Sequence, residues 1–125
     1  MLFVIIGERF LVICLVELKH LDGLGDFFSQ FGGRVNTPKY SSSAVTVEYE
    51  SAAEAIRVNI QAEKDTIAAY QQLIERIRKN NPEKLTQSAA VAIQLLNKIV
   101  SDERVHVRIL SELAQSVAAE EGKEA

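Results

Sequence analysis

The chain has one cysteine, two histidines and no excess of positive charge, and each shortage narrows what it can be. A lone Cys14 cannot close an internal disulfide, which points to a reducing cytoplasm and to a small buried apolar role for the thiol. It also leaves no thiolate set for zinc or an iron–sulfur cluster. Fourteen Lys and Arg against 17 Asp and Glu leave a net charge of -3, with no basic stripe to neutralise phosphates. No nucleic-acid partner is expected. Met1 to Val16 is very apolar, yet Glu8 and Arg9 interrupt it and no basic leader or small-residue cleavage site surrounds it. The segment is too short to span a bilayer, so it is expected to be a buried helix, with no membrane partner. There is no strict internal repeat and no low-complexity tract.

What is present is the material of one globular domain: 125 residues, 47% hydrophobic and 25% charged, enough to bury a core. The periodicity predicts three long helices and no confident strand. The first covers about 2–31, with Phe10, Ile13, Leu21, Leu24, Phe27, Phe28 and Phe31 stepping along the same inner stripe as Glu17 and His20. Gly23 and Gly25 suggest close packing there, and Gly32-Gly33 supplies a left-handed stop. Residues 32–50, with Pro38 and Ser41-Ser42-Ser43, read as a long extended crossover, although Ala44 to Tyr49 alternates briefly like a strand. Such a connection lets the flanking helices lie parallel. Ser51-Ala52-Ala53-Glu54 is a capping box that starts a helix over 52–79. Its apolar stripe of Ile56, Ile60, Ile67, Tyr70 and Ile74 contains one carboxylate, Glu63. Asn81-Pro82 reads as a cap and first helical position for a third helix over about 82–118. A charged tail would then occupy 119–125.

The third helix carries the most informative stretch. Asp102-Glu103-Arg104-Val105-His106 sets a carboxylate and an imidazole three residues apart on one helix face, able to reach the same ion. Glu17-Leu18-Lys19-His20 repeats the spacing, and these are the only histidines in the chain. With Glu at roughly a tenth of positions, chance produces that coincidence about once in a hundred such chains. The stripes of three helices therefore offer Glu17, His20, Glu63, Glu103 and His106 to one another. An ionised Glu63 in an apolar stripe requires a cation or a hydrogen-bonded network. Oxygen and imidazole donors without thiolate suit iron or manganese. Tyr70, two turns beyond Glu63, reads as core or as a group near the ions. Asp102 reads as part of a solvated face or as a group that orients a histidine.

Ile6-Gly7-Glu8 through Val16-Glu17-Leu18-Lys19-His20-Leu21, followed by Leu24-Gly25 and Phe31-Gly32-Gly33, resembles the second bundle helix of the ferritin-like superfamily, in its rubrerythrin-type and manganese-catalase-like branch. Asn59-Ile60-Gln61-Ala62-Glu63-Lys64 is similar to the third helix of that branch, and Asp102 to His106 to the fourth. The resemblance implies an all-α, ferritin-like bundle with a di-iron or di-manganese site acting on dioxygen or peroxide as a ferroxidase, peroxidase or catalase. Glu17 and Glu103 would bridge the two ions, Glu63 would be terminal, and His20 and His106 would each hold one corner. No rubredoxin-like Cys-x-x-Cys follows, so electrons would come from a separate donor. The family's first helix has no counterpart. Glu8 stands about 13 Å from Glu17 along the same helix, too far to replace its carboxylate. The expected consequence is a homo-oligomer, at least a dimer, whose partner helix covers the apolar first helix. The other ways to fill the gap are a separate chain that supplies the first helix and a start codon placed too late. The alternative in a different class is a non-enzymatic helical interaction protein with an incomplete or single-metal site.

Overall fold

The computed structural model describes residues 2–31 and 49–124, and all regular structure among them is helical. Helix α1 is Leu2–Gln30, α2 is Ala52–Lys79 and α3 is Gln87–Glu124. The expected crossover, with its glycine stop and its strand-like alternation, lies almost wholly outside the described residues.

Helix α2 begins where its capping box requires. Ser51 Oγ accepts from the Glu54 amide at 3.1 Å, and the Glu54 carboxylate accepts from the Glu50 amide at 2.8 Å. The reciprocal bond thus falls one residue before the cap itself. Arg76, Arg78 and Lys79 crowd the last turn, where they complement the negative end of the helix dipole.

Two boundaries of the third helix differ from expectation. It starts at Gln87 rather than near Pro82, because Asn81 is tied back to α2 through Nδ2 to the Ile77 carbonyl at 2.8 Å. The cap is Thr86, whose Oγ1 accepts from the Ala89 amide at 3.2 Å. At the other end the helix continues past Ala118 to Glu124. The residues there are mostly Ala, Glu and Lys, all good helix formers, so their charge does not end the helix.

The order of layers follows from the packing partners. Ile13, Ile56, Leu110, Leu113 and Val117 form one buried cluster, and Ile74, Ile93 and Leu96 form another. The first takes early residues of α1 and α2 with late residues of α3. An apolar cavity of about 210 Å³ beyond the second is lined by Leu24 and Phe27, Leu73 and Ile77, and Leu95 and Leu96. Helices α1 and α2 therefore run parallel, with α3 antiparallel to both. Helix α3 packs on each of the others, while no Cα of α1 comes within 8 Å of one in α2 among the described residues.

Helix α1 departs from its expected burial. Ile13 and His20 are buried against α3, but Leu21 is 64% exposed, Phe28 45% and Phe31 36%. Cys14 is exposed, not buried. The first half of α1 is apolar nearly all round and has no polar face to show which side meets the core, and among the described residues α1 packs on α3 alone. Gly23 meets Leu95 at an ordinary packing distance, whereas nothing approaches Gly25.

Candidate metal centre

Between the two apolar clusters lies one polar layer. The periodicity that buries Ile13, Ile56 and Leu110 carries Glu17 and His20, Glu63, and Glu103 and His106 to the same height in the bundle. Glu103 and His106 are almost completely buried, 1% and 2% exposed. Glu63 is mostly covered, and the Glu17 side chain is half open to solvent.

The donors converge in two sets. Around His20 Nδ1 stand Glu103 Oε1 at 3.2 Å and Glu17 Oε2 at 3.4 Å. Around His106 Nδ1 stand Glu17 Oε1 at 3.3 Å, Glu103 Oε2 at 3.5 Å and Glu63 Oε2 at 3.8 Å. Glu17 and Glu103 each send one oxygen toward each histidine. Single ligand atoms of Glu17, Glu63, Glu103 and His106 all lie within 4.8 Å of one another, and these four residues could hold a metal ion. The two imidazole centroids are 6.4 Å apart.

Neither set is a hydrogen-bonded network. His20 Nδ1, His106 Nδ1 and both Glu103 oxygens are buried with no hydrogen-bond partner among the described residues. Buried polar atoms without partners cost about 1–3 kcal/mol each, so four in one layer call for a physical cause. Acceptor facing acceptor is repulsive unless positive charge lies between them. Donors bound at about 2.1 Å to a common ion stand roughly 3.0–3.4 Å apart in octahedral or tetrahedral coordination. Most of the observed separations fall in or near that range, and the chemistry of the donors fits a hard or borderline cation.

The far side of His20 is fixed. Its Nε2 donates to Asp102 Oδ2 at 2.8 Å, and Lys98 Nζ donates to Asp102 Oδ1 at 2.8 Å. With the Nε2 proton hydrogen-bonded to Asp102, His20 turns its Nδ1 toward the centre. Burial alone would raise the Asp102 carboxyl, but the bonds and charges of Lys98 and His20 outweigh it and hold it below its usual value. Of the two readings of Asp102, the structure selects the orienting one. Lys98 escaped the sequence reading; its i, i+4 spacing to Asp102 was the available signal. Asp102→Asn is expected to weaken metal affinity about 10–100-fold while leaving helicity intact, measured by competition with a chromophoric chelator.

Electrostatics separate the remaining groups. Burial, and then repulsion by Glu17, push Glu63 up to about 7, against a smaller downward pull from His20. Burial lowers His106, with Glu17 opposing, so the imidazole stays neutral and able to bind an ion at neutral pH. Tyr70 packs on the Ile74 cluster, as a core residue would, and burial together with the Glu17 charge raises its phenol. Glu8 is exposed, away from this layer.

No protein-family model, curated protein or solved structure matches this chain.

Proposed function

We propose that the protein is a ferritin-like, di-metal carboxylate protein acting on dioxygen or peroxide, as a ferroxidase, peroxidase or catalase. The observation that carries this reading is the set of four partnerless buried atoms, two imidazole nitrogens and both oxygens of Glu103, facing one centre. A structural polar network would have satisfied them internally.

Iron or manganese bound here would supply one-electron redox chemistry toward the oxidant. The chain's own residues do the rest. Glu103, buried and spanning both donor sets, holds them at fixed separation. Glu17 spans the same two sets from the half-open side, where it is free to shift as charge at the centre changes. His20 is locked by Asp102, and Glu63 closes the His106 set. The Ile13 and Ile74 clusters above and below exclude water.

Metal analysis of protein purified without added metal tests this. Two Fe or Mn per chain, with consumption of peroxide, is the expected result; less than one ion per chain and no turnover would sink it.

A second reading rests on the asymmetry of the layer. The His106 set has four donor residues and the His20 set three. A single ion held by Glu17, Glu63, Glu103 and His106, in a helical interaction protein without turnover, would fill only the fuller set. One ion per chain and no peroxide consumption select this reading.

A further inference from the structure

Helix α1 has a second face that the metal layer does not use. Val4, Leu11, Leu18 and Gly25 recur every seven residues, and Gly7, Cys14, Leu21 and Phe28 do so three positions later. This is an unbroken a/d heptad seam about 36 Å long. Most of it is left bare by α3: Leu11 is 59% exposed, Leu18 61% and Leu21 64%, while Gly25 is partly covered and Phe28 also borders the apolar cavity against Leu95 and Leu96. Among the described residues nothing lies within 4 Å of a Cβ built on Gly7 or Gly25. Each glycine costs about 1 kcal/mol of helix stability and meets no described neighbour in the protomer.

We infer that this seam is the interface with a second copy of the chain, packed antiparallel about a two-fold axis near Val16. Reversing the helix on itself about that point pairs the a positions with the partner's d positions throughout. Val4 falls opposite Phe28 and Leu11 opposite Leu21, while Leu18 meets Cys14 and Gly25 meets Gly7. Large residues meet large or medium ones, and the only small residues meet each other, which lets the backbones approach at both ends. That self-complementarity is what an isologous interface requires, and an unrelated partner would have no need of it.

The area agrees. Six exposed residues on or beside the seam, Val4, Leu11, Leu15, Leu18, Leu21 and Phe28, present on the order of 700 Å² of surface at ~200 Å² for a whole large side chain. That is one partner's share of a standard interface, and it exceeds the largest apolar patch of a typical monomer. Docking would also bring the second α1 alongside Glu17, next to Leu18 on the same helix, and narrow the open side of the metal layer. The interface stands on packing alone and does not depend on the metal reading.

Light scattering and sedimentation of the full chain at micromolar concentration test it, with and without chelator. The expected result is a dimer in both. Leu11→Glu combined with Leu21→Glu should weaken it by ~100-fold or more with the helical circular dichroism retained. Orientation is read in a Cys14→Ser background with a short thiol crosslinker. Leu11→Cys and Leu21→Cys chains should crosslink when mixed and not when alone. A wild-type monomer, whether free or bound to lipid vesicles, overturns the proposal. A dimer that survives the double substitution also overturns it, as does crosslinking of Leu11→Cys to itself but not to Leu21→Cys.

Discussion

Replacing Glu103 by leucine is expected to raise the melting temperature of the metal-free protein and to abolish its response to metal. Both halves come from one geometry. Glu103 is 1% exposed and neither oxygen has a hydrogen-bond partner, so without a cation the fold carries an uncompensated buried carboxylate. An apolar side chain of similar volume removes that cost, about 1–3 kcal/mol, which corresponds to several degrees in a domain of this size. The same carboxylate sends one oxygen to each histidine at 3.2 and 3.5 Å, so its loss takes a donor from both positions together. Wild-type protein with metal at about 1,000 times its dissociation constant gains about 4 kcal/mol; Glu103→Leu should gain almost nothing. Calorimetry of the two proteins, each with and without metal, reads all four states. A metal-free Glu103→Leu protein that melts lower than wild type would show that the carboxylate has a stabilising role of its own.

Metal binding should release a proton from Glu63 and weaken steeply in mild acid. Burial and the nearby Glu17 charge raise this carboxyl to about 7, from 4.5 for the unperturbed group. The sign for stability follows. The folded state disfavours ionised Glu63, so in the metal-free protein this group costs nothing below about pH 4.5. Its cost grows as pH rises toward 7 and is constant above that. An ion reverses the preference, because only the carboxylate is a ligand. Below pH 7 each unit of acidification should therefore cut affinity roughly tenfold through Glu63 alone. Lowered His106 adds little proton competition at the upper end of that range. Titration calorimetry at pH 6 in two buffers of different ionisation heat counts the protons. Close to one is expected from Glu63, and Glu63→Gln should abolish that release and flatten the pH slope of metal-free stability. Equal heats in the two buffers would rule out a protonated Glu63.

Much of this was legible in the chain itself. Three long helices, the Ser51 capping box and the inner stripes of α2 and α3 follow from local periodicity and capping chemistry, which are properties of neighbours in sequence. That Glu17, His20, Glu63, Glu103 and His106 come together was legible for the same reason: polar side chains interrupting apolar stripes must meet wherever those stripes pack. Other features depend on elements far apart in the chain. Asp102 belongs to the centre only because His20, 82 residues away, turns its Nε2 toward it. The start of α3 moved to Gln87 because Asn81 bonds back to α2, a competition that Asn-Pro by itself does not reveal.

What the sequence by itself determined is the helical class and which polar side chains lie in the inner stripes, because heptad-like spacing fixes which side chains share a face. Only the tertiary structure decided how those donors are used, since the separations between helices leave Glu103 spanning two histidines without a partner. It also decided which side of α1 is core. The first half of that helix is apolar on nearly every side and carries little such information, and the answer came from where α3 lies, leaving Leu11, Leu18 and Leu21 bare.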